Sequence, residues 1–224
     1  MTLDVAQNVR WYLDKREDTA RYSSFDYCFN YFQAHREAGT VEALVEPDQL
    51  QTSCLQLGFY LASWGMFRGR AAVLSHSVKC FVPVVEAIVS APDEVWDIDA
   101  DAYTPENVAA LLRLRAELGQ VLPGGGSDTL VTKTMLGVFG SVPAYDRFFR
   151  VGLGVTKFAP RSLTKIAEFC SANADAIEEC QEPTLDFPTG QATGRRYSKA
   201  KVIDMVFFVE GGGLGRAPRR TPAS

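Results

Sequence analysis

Two apolar helical segments are connected by residues 122–129, Leu-Pro-Gly-Gly-Gly-Ser-Asp-Thr, and this connection constrains the fold more than any other feature. Proline lacks a backbone N–H and glycine gains little from helical geometry, so a helix is not expected to continue through Pro123 and three glycines. Upstream, Thr104-Pro105-Glu106 combines an N-cap, a proline at the first helical position and an acid in the first turn. The sequence therefore predicts two helices that meet at a tight turn just past mid-chain.

Apolar residues recur at helical spacing through most of the chain. Two such series comprise residues 50, 54, 57, 61 and 64 and residues 74, 78, 81, 85 and 88. No strand-like alternation bounded by turn residues competes with them. A helix is expected over about residues 162–180, and a final helix is expected after Ser198. Residues 182–194, which lie between them and contain prolines, are expected to be irregular. We predict an all-α fold of two helical lobes around a cleft close to residues 122–127.

The composition is that of an ordinary globular protein, with 46% hydrophobic and 22% charged residues in a chain of 224. We expect one helical domain over residues 1–210 and a flexible basic tail over residues 211–224, which lack core-forming residues. No segment is apolar enough to span a membrane and no signal peptide is evident, so we expect a cytoplasmic protein. The spread of the five cysteines and two histidines predicts no metal site and no cofactor.

A net charge of -4 argues against a general affinity for nucleic acid, but the basic residues are clustered. Five of them and no acid lie between Asp146 and Glu168, and four more lie between Asp186 and Asp204. This distribution predicts a basic face on an acidic body, as a DNA-binding enzyme requires. An ordinary solvated helix face is the alternative.

A resemblance to a known family is carried by the connection at residues 122–129, the helix stop at Phe139-Gly140 and Asp146. In these features the chain resembles the helix-hairpin-helix base-excision DNA glycosylases, which are named for a Gly/Pro hairpin and a catalytic aspartate. The family hairpin reads Leu-Pro-Gly-x-Gly-x-x-Thr, and the matching positions here are Leu122, Pro123, Gly124, Gly126 and Thr129. The resemblance covers roughly residues 110–155. It implies cleavage of the N-glycosidic bond of a damaged or modified base in double-stranded DNA. Residues 53–65 and 127–149 also resemble a set of small uncharacterised bacterial proteins, which implies no function.

The resemblance places Asp146 beside the anomeric carbon, where a carboxylate stabilises the positive charge that develops on the sugar. Family members that also nick the backbone carry a lysine where this chain has Asp128. A carboxylate forms no Schiff base, so we expect a monofunctional enzyme that uses water. Lys133, five residues further along and expected on a different helix face, is the alternative nucleophile. The late cysteines, Cys170 and Cys180, are too few for the iron–sulfur cluster that some members hold.

Glycines in the turn let a phosphate approach the backbone, and the N-terminus of the following helix attracts an anion. The residues expected to contact DNA are Gly124, Gly126, Ser127, Thr129, Lys133, Arg147 and Arg150. An everted base needs aromatic faces and polar groups that read its edge. For this base pocket we expect Tyr27, Tyr60, Trp64, Tyr145 and Asp26.

Two other hypotheses fit the same residues. The chain also fits a non-catalytic helix-hairpin-helix DNA-binding protein, in which Asp146 only caps a helix. It also fits an all-helical protein-interaction module, in which the basic face meets an acidic partner. The position of Asp146 relative to a cleft and to the turn distinguishes these hypotheses from an enzyme.

Overall fold

The computed structural model describes residues 3–69 and 71–215. The chain is mainly helical, with 65% helix and 4% strand, which confirms the all-α expectation. The helices are α1 (Val5–Leu13), α2 (Ser24–Glu37), α3 (Leu50–Ser63), α4 (Val82–Val89), α5 (Asp93–Trp96), α6 (Pro105–Val121), α7 (Asp128–Phe139), α8 (Arg147–Leu153), α9 (Pro160–Ala172), α10 (Ala174–Glu179) and α11 (Lys199–Glu210). Within these described ranges, no helix is both long and apolar enough to cross a bilayer.

The segment over residues 182–194 was expected to be irregular, and it instead contributes to a small antiparallel sheet. Strands β1 (Pro183–Leu185) and β2 (Ala192–Arg196) pair with each other. Asp26 of α2 accepts a hydrogen bond from the backbone N–H of Leu185, and Asn30 of α2 accepts one from Thr184. Strands this short show no recognisable apolar alternation in the sequence. They are held in place by the side chains of α2.

Two apolar series that suggested single helices are divided. The series over residues 74–88 begins as two 3-10 turns, Ala72–Ser75 and Val78–Phe81, before α4 starts. The helix expected over residues 162–180 is interrupted at Asn173, which separates α9 from α10. Apolar spacing marked the buried face correctly in both segments but did not reveal these interruptions.

All three glycines of the turn between α6 and α7 have positive φ, and two of them are also closely packed. Gly124 has a φ of 73° and Gly126 a φ of 51°. A Cβ on Gly126 would lie 2.9 Å from Cα of Gly119 in α6, and one on Gly124 would lie 2.5 Å from Cβ of Ala72. Packing of the turn against its neighbours therefore requires glycine at both positions, apart from any ligand.

Helix α11 is buried along nearly its whole length and crosses α8 at close range. A Cβ on Gly152 of α8 would overlap the carbonyl oxygen of Phe207, and one on Gly211 would overlap the carbonyl oxygen of Phe148. The two backbones are therefore in contact at this crossing. The crossing sets the position of α8, and hence of the residue that precedes it, Asp146.

The described chain ends in a turn over residues 211–215, in which Leu214 packs against the core. The start of the segment expected to be a tail is thus folded onto α11. The remainder of the expected tail, residues 216–224, lies outside the described residues.

The crossing of α8 and α11 predicts that Gly152→Ala lowers the free energy of unfolding by about 1–3 kcal/mol, because the added methyl group overpacks the contact. Urea denaturation measures this change. The matched control is Gly194→Ala, since a Cβ there meets no atom within 4 Å. Equal stability of the two variants would show that α8 and α11 are not held in contact.

Candidate functional site

Asp146 is the N-cap of α8, and its two carboxylate oxygens have different partners. Oδ1 accepts hydrogen bonds from the backbone N–H groups of Phe148 and Phe149, at 2.9 and 3.0 Å. Oδ2 lies 3.3 Å from Nζ of Lys133, and the Asp146 side chain is 16% exposed. The helix cap therefore fixes the carboxylate while leaving part of it open to solvent.

Lys133 reaches Asp146 from α7, and its side chain is only 4% exposed. An ammonium in such a place costs several kcal/mol unless it is paired. Asp146 supplies the counter-charge, and the ring of Trp64, 5.0 Å from Nζ, supplies a cation–π contact. Contrary to the expectation that Lys133 contacts DNA, it presents almost no surface to a phosphate. It does project from a different face of α7 than Asp128, as expected, and that face meets Asp146.

A second buried ion pair holds the chain that leads to Asp146. Nζ of Lys201 lies 3.1 Å from Oδ2 of Asp204 and 3.0 Å from the hydroxyl of Tyr12. Oδ1 of Asp204 accepts a hydrogen bond of 3.0 Å from the backbone N–H of Ala144. Because Ala144 is two residues before Asp146, α11 anchors the approach to the helix cap.

Tyr145, which lies between Ala144 and Asp146, forms hydrogen bonds with residues of α7 and α9. Its backbone N–H donates to the hydroxyl of Thr132, and its carbonyl accepts from the hydroxyl of Thr129. Its phenol donates to Ser162 at 2.8 Å. Tyr145 is fully buried, so it offers no surface to a base, contrary to the expectation. Thr129, expected at a phosphate, uses its hydroxyl inside the protein.

Trp64 lies at the centre of an aromatic cluster that both buried lysines contact. Its ring is stacked with that of Tyr12 and meets those of Tyr22 and Phe208 edge-on. Nζ of Lys201 lies 5.7 Å from the Trp64 ring. The indole Nε1 is buried and has no hydrogen-bond partner within the described residues. We call Tyr12, Tyr22, Trp64, Phe148 and Phe208 the Trp64 cluster.

A cavity of about 780 Å³ lies beside this cluster, and we call it the α2–α3 groove. Its walls come from α2, α3, the loop before α2 and the loop between the two strands. The lining residues are Asp18, Thr19, Ala20, Arg21, Ser24, Tyr27, Leu55, Gln56, Phe59, Tyr60, Ser63 and Phe187. Tyr27 and Tyr60, both expected in a base pocket, are among them. Trp64 adjoins the groove through Arg21, whose guanidinium lies 5.3 Å from the indole ring.

Asp26, expected to read a base edge, has a structural role instead. It is fully buried, accepts a 2.7 Å hydrogen bond from the phenol of Tyr197, and pairs with Arg16 at 3.4 Å. It also accepts the hydrogen bond that fixes Leu185 in the sheet. Asp26 therefore joins α2 to the strands and faces no cavity with its carboxylate oxygens.

Asp128, which stands where the family's lysine would be, is likewise used inside the fold. Its Oδ1 accepts a 2.7 Å hydrogen bond from Arg115, and its Oδ2 accepts one of 3.0 Å from the backbone N–H of Phe158. Ser127 caps α7 by accepting from the backbone N–H of Leu130. The side chains at the turn thus stabilise the turn, and its exposed residues are Gly124, Gly125 and Ser127.

The two basic clusters of the sequence differ in what they do. Arg147, Lys157, Arg161 and Lys165 are exposed and form no ion pair with any described residue, while Arg150 donates to the carbonyls of Asp146 and Thr156. In the second cluster, Arg195 pairs with Glu37, Lys199 with Asp101 and Lys201 with Asp204, and Arg196 donates to a backbone carbonyl. The basic face is therefore limited to the segment that follows Asp146.

Sequence reasoning did not identify Arg21, Phe59 and Phe187 as groove residues, because they come from three separate elements. One feature of the sequence could have identified Phe59. Leu55 and Phe59 lie one helical turn apart and outside the apolar series at residues 50, 54, 57, 61 and 64, so they belong to a second apolar face of α3. Among the described residues, no three His, Cys, Asp or Glu side chains are grouped as metal ligands.

Burial raises the pKa of Asp26 from 3.8 to about 6, although the Tyr197 hydrogen bond and the Arg16 charge act in the opposite direction. The folded state therefore binds a proton more tightly than the unfolded state. Proton binding by Asp26 therefore stabilises the folded state fully below about pH 4. This stabilisation is lost as the pH rises through 6, which lowers the free energy of unfolding by on the order of 3 kcal/mol. We expect Asp26→Asn to remove this slope, measured by denaturation between pH 4 and 7. Exposed Asp93→Asn is the control, and a wild-type slope in Asp26→Asn would contradict the assignment.

Comparison with family models, with curated proteins and with solved structures gives no match for this chain. Function is therefore inferred from the chemistry of Asp146, Lys133 and the α2–α3 groove.

Proposed function

We propose that this protein is a monofunctional DNA glycosylase, which releases a damaged or modified base from double-stranded DNA by hydrolysis. The observation that carries the proposal is the geometry of Asp146. One oxygen is fixed by the α8 cap, the other lies against Lys133, and the partly exposed carboxylate adjoins the Trp64 cluster. A simple helix cap needs neither the buried lysine nor the aromatic surroundings.

In this proposal the carboxylate of Asp146 stabilises the oxocarbenium-like sugar as its bond to the base breaks. The electron pair of that bond leaves with the base, which takes up a proton. Water adds to the anomeric carbon and loses a proton, so that an abasic sugar with an intact backbone remains. Partial burial strengthens the attraction between the carboxylate and the sugar cation, because the local dielectric is lower than that of water.

Lys133 acts as a positioning residue for Asp146 in this scheme. Its side chain is almost fully buried and its Nζ lies against the Asp146 carboxylate, so it is not placed to attack the sugar. Its charge and its contact with Trp64 hold Oδ2 in one place. The nucleophile is then water, which agrees with the carboxylate of Asp128 standing where the family's backbone-nicking members have a lysine.

Contact with DNA is assigned to α6, the glycine turn and α7, which we propose act as a helix-hairpin-helix element. The backbone N–H of Ser127, an exposed residue, has no acceptor within the described residues, and the α7 N-terminus adds a favourable dipole for a phosphate. The exposed basic residues of α8, of α9 and of the loop between them supply charge; they are Arg147, Lys157, Arg161 and Lys165. The base is assigned to the Trp64 cluster, and the α2–α3 groove beyond it, whose lining includes Tyr27 and Tyr60, completes the proposed cleft between helical lobes.

Asp146→Asn tests the catalytic role. Asparagine is as good an N-cap as aspartate, so α8 is retained, but the amide carries no negative charge. We expect base release to fall by at least about a hundredfold while binding to duplex DNA persists. Single-turnover assays on duplexes that each contain one damaged or modified base measure release, and circular dichroism confirms folding at the assay temperature.

Release at the wild-type rate in Asp146→Asn would remove this residue from the mechanism. Salt-dependent DNA binding with no release from any duplex by the wild-type protein would favour the non-catalytic DNA-binding hypothesis. Absence of DNA binding would favour the protein-interaction hypothesis.

A second prediction concerns the product. Borohydride reduction of the wild-type protein with abasic or modified-base DNA is expected to give no covalent adduct, because the Lys133 side chain is almost fully buried and its Nζ lies against Asp146. Lys133→Arg is the matched control, since it keeps the positive charge and forms no Schiff base. An adduct that forms with wild-type protein and is lost in Lys133→Arg would identify Lys133 as the nucleophile and overturn the hydrolytic scheme.

A further inference from the structure

Exposed apolar side chains are concentrated at the α2–α3 groove. The large hydrophobic residues that are most exposed in the described part of the chain are Leu55, Phe59, Leu74, Val151 and Phe187. Three of these five line the groove, and two of them, Phe59 and Phe187, are 72% and 74% exposed. Single exposed apolar residues are common, but a group of them around one cavity marks a binding surface.

The aromatic walls of the groove are held in place. The ring of Phe187 meets that of Tyr27 edge-on at 5.1 Å, and the phenol of Tyr27 donates to the carbonyl of Asp18 at 2.6 Å. Tyr60, which is buried, packs so tightly on α7 that a Cβ on Gly137 would overlap its ring. Preformed aromatic faces of this kind bind flat or amphipathic groups with little loss of side-chain entropy.

Polar groups of the groove are available for a ligand. The amide of Gln56 makes no hydrogen bond within the described residues. Arg21 donates to the hydroxyl of Tyr22, and its other guanidinium N–H groups have no acceptor there. A mainly apolar cavity with a few unpaired polar groups is the usual composition of a small-molecule site. The ligand that fits combines an apolar face with donors and acceptors of its own.

A series of side-chain contacts leads from the proposed catalytic carboxylate to the edge of the groove. Asp146 lies 3.3 Å from Lys133, Lys133 lies 5.0 Å from the Trp64 ring, and Arg21 lies 5.3 Å from the same ring. A base whose sugar is at Asp146 would therefore meet Trp64 first. The groove begins beyond Trp64, on the side of Arg21, where a group attached to the base would extend.

The volume of the groove indicates the size of that group. Cavities of about 300–1,000 Å³ enclose drug-sized ligands, and at about 780 Å³ this one is far larger than a flat base requires. We propose that the α2–α3 groove binds a bulky substituent carried by the base, so that the preferred substrates are bases enlarged by a group of about the size of a sugar. This inference rests on the proposed glycosylase function.

The test uses duplexes that differ only at one cytosine or one adenine, which carries hydrogen, a methyl group or a glucosyl-bearing substituent. We expect the full-length protein to bind and to process the glucosyl-bearing duplex about tenfold better than the methylated one, as an added aromatic contact implies. Ser63→Phe fills the groove at its Trp64 end and is expected to abolish this preference while leaving affinity for the unmodified duplex unchanged.

Phe59→Ser provides a second variant that does not disturb the core, because the side chain is mostly exposed. It should also lose about tenfold on the glucosyl-bearing duplex alone, as removal of one aromatic stacking partner implies. Leu74 is an exposed apolar residue outside the groove, so Leu74→Ala is the control and should behave as wild type. Equal handling of all three duplexes, or equal losses in Leu74→Ala, would overturn the inference.

Binding of the free glucosylated nucleoside, followed by tryptophan fluorescence, separates the two proposals. If the rate of base release depends neither on the substituent nor on Ser63→Phe, the glycosylase proposal is supported and the groove assignment is refuted. Nucleoside binding that is lost in Ser63→Phe, without release from any duplex, would support the groove and refute the glycosylase. Self-association that is lost in Phe59→Ser would identify a second copy of the chain as the occupant and refute the groove assignment.

Discussion

Two lysine–aspartate pairs buried against one indole ring are the constraint on which the rest of this site depends. Lys133 with Asp146 and Lys201 with Asp204 each remove an ammonium from water, which is favourable only when partners and hydrogen bonds are well placed. Trp64 contacts both ammonium groups. Apolar residues in these places would cost less desolvation, so each pair depends on the hydrogen bonds and ring contacts that surround it.

The aspartates of both ion pairs also hold the backbone around residues 144–149 in place. Asp204 accepts from the N–H of Ala144, and the α8 cap uses Oδ1 of Asp146, so the intervening loop is tied to α11 at one end and to α8 at the other. The close crossing at Gly152 and Gly211 fixes the angle between those helices. A carboxylate held in this way needs little rearrangement to meet a developing positive charge, which is the condition for electrostatic catalysis.

Local signals predicted much of the helical framework. Thr104 caps α6, Pro123 and the glycines end it, Asp146 caps α8 and Ser198 caps α11, as their positions before apolar runs suggested. Each of these signals acts within a few residues of its own backbone. The strand pair was not predicted, because it depends on Asp26 and Asn30, which lie more than a hundred residues away in the chain.

Which charged and aromatic residues meet was decided only by the tertiary structure. The sequence by itself determined that the chain is helical, that it turns at residues 122–127, and that Asp146 begins a helix, since hydrogen bonding and sterics within one or two turns settle these matters. It could not separate the exposed basic residues near Arg147 from the paired ones near Lys199, nor bring Lys133 to Asp146 or Arg21 to Trp64. Those contacts depend on how distant helices cross, and the crossing is set by the packing of the whole core.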